Sequence, residues 1–388
     1  MAADGGRRGY QLLLDEFWEE CRSNEIALPV DKSVSAAAFC NARKKLDSSA
    51  VRQLLRDTSS DFDRRHGARH RLNGRRVLAI DGSRFSLQRA PELWTELGAP
   101  TNGYTPQVSV SVLFDVIAKM PIDATITPFA SSERDQVEAL LSSTHAGDII
   151  VLDRGFPGYA LFDLLIERGL DFVIRMKSGT GFREVQKFVR SGQREADIVL
   201  DSGRCHPPLK LPPRKLRVVR RDGPKGEPQV FLTTLARREF RHQTICDLYR
   251  QRWQIELFYR LEKSDYVGHG QFHAKHVQGI KQEVFAFLLF TAISRTLMAV
   301  AAKTHGVPYE RIAQKAAIMA TARRLTTVLL ESDGARAREI LAVLLTRIAA
   351  RLDPLPRRRS CPRRSFKPRS RWGADGHVND SARARRLR

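Results

Sequence analysis

The chain has 388 residues, with 66 Lys and Arg against 43 Asp and Glu, a formal net charge of +23 and a pI near 10.4. That length can bury a sizeable core unaided, and the five cysteines (Cys21, Cys40, Cys205, Cys246, Cys361) are odd in number, scattered and without a CxxC pair, which argues against a disulfide framework and a zinc site. The excess positive charge points to a polyanion, nucleic acid first; no lipidation signal or basic amphipathic anchor supports a membrane surface instead. The short N-terminal apolar run is soon followed by acids and does not read as a secretory signal, so the expected location is cytoplasmic.

Residues 1–72 read as a small helical domain. Ser35 to Leu55 carries partial helical periodicity beside Arg43, Lys44 and Lys45, and dense basic residues follow at Arg64, Arg65, Arg69, Arg71, Arg75 and Arg76. A basic helical module of this kind suits the binding of DNA ends, and a generic solvated bundle would show much the same pattern.

From Arg76 the pattern turns to short β-rich runs. Val77 to Ile80, Val108 to Val116 and Met120 to Thr127 read as strands, and Ser131-Ser132-Glu133 opens a helix to about Ser143. Asp148 to Leu152 is an apolar strand ending at Asp153-Arg154-Gly155; a helix from Tyr159 to Arg168 and a strand from Asp171 to Met176 follow. The order implies a mixed α/β sheet with helices on its faces over 73–176. Residues 177–239 lose periodicity, and prolines separate alternating segments such as Leu216 to Val219 and Val230 to Leu235, suggesting a β-rich insertion.

Residues 240–305 hold the most informative stretch. Tyr249, Arg252, Glu256 and Lys263 fall within an arc of about 60° on one helix, so one carboxylate points the same way as two cations and a phenol. Such a stripe suits a phosphodiester. The next helix, from about Val277, is apolar over Val284 to Ala302 but includes Arg295, and reads as a buried helix rather than a membrane span. A helical region, 306–356, precedes a basic tail, 357–388, with twelve Lys or Arg against two Asp.

Asp81 and Asp153 each follow an apolar run and each precedes a glycine-containing turn, which places both at the ends of buried strands, where ligands collect in α/β sheets. With Glu256 they make three carboxylates that would repel one another unless a cation neutralised them. Hard divalent ions with oxygen ligands fit this set, Mg²⁺ with Mn²⁺ as substitute. Two such ions about 3.5–4 Å apart serve phosphoryl transfer. His269, His273 and His276 lie among glycines without a fourth ligand and are expected to face DNA or solvent.

These residues resemble the DDE transposases of the insertion-sequence-four type. Their Tyr-x2-Arg-x3-Glu-x6-Lys signature stands here as Tyr249, Arg252, Glu256 and Lys263, with IDGSRF at Ile80 to Phe85, LDRGFPGY at Leu152 to Tyr159 and FLTTL at Phe231 to Leu235. The resemblance implies an RNase H-like mixed sheet flanked by helices, with a β-rich insertion between the second Asp and the Glu and a helical N-terminal domain. It implies Asp81, Asp153 and Glu256 as the catalytic, metal-binding triad, with two Mg²⁺ ions per site, and Tyr249, Arg252, Trp253 and Lys263 as DNA contacts. Double-stranded DNA would be the partner, as the element's terminal inverted repeats and as target, bound by a homodimer, with excision through nicking, a hairpin at the transposon end and strand transfer. Some relatives stack a flipped base on a tryptophan of the insertion. None stands there in this chain, and Phe231 or Phe182 is the expected substitute. The competing readings are a domesticated DNA-binding derivative without chemistry and a structure-specific nuclease without strand transfer.

Overall fold

In the computed structural model, residues 9–101, 103–177, 181–204, 209–223, 226–261 and 272–354 are described. Lys263, His269, Cys205, Cys361 and the basic tail from 357 lie outside them. Three helices open the chain, α1 (Tyr10–Ser23), α2 (Ala36–Lys44) and α3 (Ser48–His66). The helical stretch expected from Ser35 to Leu55 is two helices, because Asp47 caps a new one by accepting from Ser49 N at 2.8 Å.

The body is one eight-stranded sheet of order β3-β2-β1-β4-β5-β8-β7-β6. Its strands are β1 (Val77–Ser86), β2 (Gln107–Asp115), β3 (Met120–Pro128), β4 (Ile149–Leu152), β5 (Asp171–Met176), β6 (Glu195–Leu200), β7 (Arg214–Asp222) and β8 (Pro228–Thr233). β1 to β3 form an antiparallel meander, β4 and β5 run parallel to β1, and β8 closes antiparallel on β5. This mixed sheet with helices on both faces is the α/β architecture that the sequence implies. The segment between β5 and His242 adds β6, β7 and β8 to the same sheet.

Side-chain alternation along the strands builds two cores. Val77, Ala79, Val110, Val112, Val151 and Val173 pack on one face, toward α3, α8 (His242–Gln251), α9 (Trp253–Leu261) and α10 (Val277–His305). Leu78, Ile80, Leu113, Ile150, Leu152 and Phe172 pack on the other, under α5 (Glu133–Leu141), α6 (Tyr159–Glu167) and α7 (Arg183–Ser191). A short helix, α4 (Pro91–Leu97), and two last helices, α11 (Gln314–Leu330) and α12 (Gly334–Ala349), complete the set. α10 is long and apolar enough to cross a membrane, yet 61% of its most apolar window is buried inside the protein.

Much of the basic run at the N-terminal side is spent inside the fold. Arg76 Nε bonds Asp148 Oδ1 at 2.9 Å, Arg75 pairs with Asp171, Arg71 with Asp63, and Arg64 and Arg65 with Asp61. On α2, Arg43 bonds Gln282 Oε1 at 3.1 Å and Gly279 O at 3.2 Å on α10, leaving Lys44 and Lys45 as the exposed cations. The expected basic face is therefore thinner than the sequence suggests, because Arg43, Arg71, Arg75 and Arg76 serve as struts, while Arg64, Arg65 and Arg69 stay exposed.

Candidate active site

Parallel pairing of β1 with β4 runs Val77↔Ile149, Leu78↔Ile150 and Ala79↔Val151. Asp81 and Asp153 each stand two residues beyond the last pair, Asp81 within β1 and Asp153 just past the end of β4. β4 ends at Leu152, but β1 does not end where the sequence suggests. It runs through Asp81 to Ser86, held by β2 in the register Asp81↔Val112 to Ser86↔Gln107. Asp81 is thus a mid-strand residue at the point where one neighbour, β4, falls away.

Each aspartate is braced locally. Asp153 Oδ1 accepts from Gly155 N at 2.6 Å, an Asx-type turn. A Cβ at position 155 would lie 2.9 Å from that oxygen, which explains glycine there. From α5, Arg134 donates to the Gly155 carbonyl through Nε at 2.9 Å and Nη2 at 2.7 Å, fixing the loop that carries Asp153. Asp81 Oδ1 accepts from Gly82 N at 3.1 Å, and the Tyr259 hydroxyl donates to the Asp81 backbone oxygen at 2.8 Å, with Val110 O at 3.1 Å.

The signature does not form one continuous stripe. α8 ends at Gln251 and α9 begins at Trp253, with Arg252 N bonding Tyr249 O and Ile255 N bonding Arg252 O, both at 3.2 Å and both three residues apart. That tightened turn is of the 3₁₀ kind often found at functional hinges. It separates Tyr249 from Glu256. Tyr249 is 9% exposed, its ring 4.7 Å from that of Phe231, and burial first, then the charge of Asp153, raises its pKa.

Arg252 joins the two halves. Its guanidinium pairs with Glu256, lies 3.9 Å from Asp81 Oδ2 and sits 5.8 Å over the Tyr249 ring. Its side chain is 13% exposed. Burial alone would lower its pKa, but Tyr249, Glu256 and Asp81 together raise it. Asp81 and Glu256 therefore meet at one cation. Among the described residues no three of His, Cys, Asp or Glu are grouped tightly enough to hold one metal ion in this arrangement. The donor chemistry nonetheless fits a hard divalent cation, because the three groups offer only carboxylate oxygens and two of them already share a positive charge. Trp253 is half-buried at the start of α9.

Two stacking expectations change. Phe231 is fully buried within β8 and cannot offer a face to a flipped base, because its place in the strand alternation points it into the core. Phe182 is half-buried, its ring 5.6 Å from that of Phe162. His276 caps α10 by accepting from Gly279 N at 3.0 Å, and the His273 ring lies 5.0 Å from that of Tyr10, tilted by 37°, so neither simply faces solvent. Tyr259 and Arg134 were not apparent from the sequence. Tyr259 stands one turn after Glu256, a polar tip on an apolar face, which is a usable signal; Arg134 has none, since its partner is a backbone carbonyl on another element.

A family model described as Transposase DDE domain matches residues 72–293, an interval that includes Asp81, Asp153 and Glu256. The chain is 25% identical over 282 residues to "Transposase InsG for insertion sequence element IS4" of Escherichia coli (strain K12), covering 68% of this chain and 62% of that protein. It is 25% identical over 204 residues to "Putative transposase y4zB" of Sinorhizobium fredii (strain NBRC 101917 / NGR234), covering 51% of this chain and 55% of that one. The matched stretches thus span less than two thirds of either relative. A solved structure of piggyBac transposase, in a synaptic complex with hairpin DNA, aligns over 87% of this chain and 86% of its own at 11% identity and a TM-score of 0.44.

Proposed function

The chain belongs to the Transposase DDE domain family, and from that premise we propose that it is a DNA transposase that excises and inserts its element by cut-and-paste through Asp81, Asp153 and Glu256. DDE transposases in general use divalent metal ions. Mg²⁺, or Mn²⁺ in its place, would be held by these three carboxylates as two ions and would supply Lewis acidity at the scissile phosphate.

The observation that carries the reading is the meeting of Asp81 and Glu256 at Arg252, with Asp153 just beyond the end of β4, the strand that pairs with β1. The chain's own residues then have distinct work. Arg252 offers a guanidinium suited to phosphate oxygens from a site mostly shielded from water. Arg134 and Tyr259 hold the backbones that present Asp153 and Asp81. Tyr249, anchored in the core, fixes the turn from which Arg252 and Glu256 project. Lys263 is assigned to the same phosphate track by its place in the signature.

The partner is double-stranded DNA, the element's terminal inverted repeats and the target, bound by two copies of the chain. The test is incubation of the full chain with its flanking genomic DNA and Mg²⁺, with strand breaks mapped at nucleotide level and joining scored on a pre-cleaved end. Breaks at the repeat ends followed by joining support transposition. Breaks without joining leave a nuclease, and binding without breaks leaves a DNA-binding derivative.

A further inference from the structure

Arg221 on β7 pairs in register with Gln229 of β8, and its Nη2 donates to Gln229 Oε1 at 2.7 Å. Its Nε and Nη1 are shielded from solvent and have no hydrogen-bond partner. A shielded N–H on a charged group is costly to leave unmet, so two on one guanidinium point to a ligand that completes it. Arg221 follows Val219 by two residues, and Val219 belongs to the core packed toward α8 and α9. The thiol of Cys246 on α8 feels the same cation: burial raises its pKa, and the charges of Arg221, Arg250 and Arg194 oppose the rise.

Arg175 stands on the same sheet face, two residues after Val173 on β5. Leu152 pairs with Ile174, so Arg175 is the next residue on β5 where the chain leaves β4 at Asp153. It is half-buried and makes no hydrogen bond or ion pair among the described residues. Tyr249 lies within its field: burial raises the phenol pKa, while Arg252 and Arg175 lower it. Phe231 pairs with both Arg175 and Val219 and so separates the two arginines. Two strand spacings across and two residues along put their Cα atoms about 12 Å apart, a reach that a DNA strand covers in a few nucleotides.

Acids around the two arginines are already engaged. Asp247 pairs with Arg250, Asp222 with Arg220, and Glu195 with both Arg217 and Arg237. Asp153, beside Arg175, is assigned to metal. Arg175 and Arg221 are therefore a positive surplus beyond Arg252. We propose that they bind phosphates of the DNA strand as it leaves the catalytic site across the inserted strands, extending the track that begins at Arg252. The inference rests on the transposase reading for the identity of the polyanion.

The test is duplex affinity of the full chain on its flanking genomic DNA, measured across a range of salt concentrations. Arg175→Gln and Arg221→Gln are each expected to reduce the slope of log affinity against log salt by about 1, and the double variant by about 2, one phosphate contact being lost per residue. Arg175→Lys and Arg221→Lys keep the charge and are expected to keep the wild-type slope. Thermal midpoints no lower than that of the wild type are expected, because neither guanidinium pairs with a carboxylate and Arg221→Gln removes two unpartnered N–H groups. An unchanged slope in either Gln variant, an equal loss in the Lys variants, or earlier unfolding that marks a structural strut overturns the proposal. A wild-type chain without salt-dependent duplex affinity fails the transposase reading. A wild-type chain that has it, matched by the Gln variants, fails this inference alone.

Discussion

The Tyr259 hydroxyl on α9 donates to the Asp81 carbonyl on β1 at 2.8 Å, tying the helix that carries Glu256 to the strand that carries Asp81. The two carboxylates are far apart in sequence, and this bond, with the Arg252 guanidinium, sets the distance between them.

Replacing Tyr259 by Phe keeps the ring beside Phe258 and Phe85 and removes only the hydroxyl. The expected cost is about 1 kcal/mol of stability, with metal-dependent cleavage falling by more than duplex affinity, because a loosened strand misplaces Asp81. Single-turnover cleavage and duplex binding on one preparation check this. Equal losses in both would speak against a positioning role.

Arg252→Ala takes away the cation shared by Asp81 and Glu256. The metal-free protein should lose roughly 1–3 kcal/mol, and Mg²⁺ should then raise the thermal midpoint more in the variant than in the wild type, since the ion replaces the lost charge. Cleavage should slow in the same variant. A smaller Mg²⁺-induced gain than in the wild type would contradict the role given to Arg252.

Asp123 on β3 is fully buried and accepts from Arg52 Nε at 2.7 Å, Arg56 Nη2 at 2.6 Å and Ser143 Oγ at 2.9 Å. Asp123→Ala leaves two arginines facing a hole where α3 docks, and the expected loss is about 3–5 kcal/mol by chemical denaturation. Burial pushes the Asp123 pKa up, but bonds and charge from Arg52 and Arg56 outweigh it and lower it below 3.8. Its contribution is therefore present above that value and is lost as pH falls through the folded pKa, an acid sensitivity the variant should not share.

Asp115 at the end of β2 behaves in the opposite sense. Burial raises its pKa to about 7, although Ala118 N and Ile117 N donate to its Oδ1 at 2.8 and 3.0 Å. The folded state holds the proton more tightly than the unfolded state, so this stability is complete below pH 3.8 and declines as pH rises to about 7. Asp115→Asn should flatten that decline when unfolding free energy is measured across the range. An unchanged slope would count against the buried, protonated carboxyl.

The strands of the central sheet were legible because their signals are local. Asp171 to Met176 is read from its apolar run and stands as β5, and Asp148 to Leu152 differs from β4 by one residue. The signature was legible for the same reason, as residue types at fixed spacing, whereas Asp81, Asp153 and Glu256 follow no short rule and were joined only by the resemblance. What the sequence hid depends on partners far along the chain. No Gly or Pro marks the turn at Arg252, where core-bound Tyr249 and the pull of Glu256 and Asp81 favour a tightened turn. Arg75 and Arg76 look like a DNA-facing run until β4 and β5 bring Asp148 and Asp171 beside them. α4 and α7 were missed because each is short, and α7, although Val185, Phe188 and Val189 recur at helical spacing, lies in a stretch read as a β-rich insertion.

The central claim is that Asp81, Asp153 and Glu256 close on divalent metal at a DNA strand. Anomalous scattering from Mn²⁺ in crystals of the chain bound to its end DNA tests this most directly. The account predicts metal peaks within coordination distance of all three carboxylates and beside the scissile phosphate. Metal bound elsewhere, or coordination that leaves any of the three carboxylates out, would contradict it.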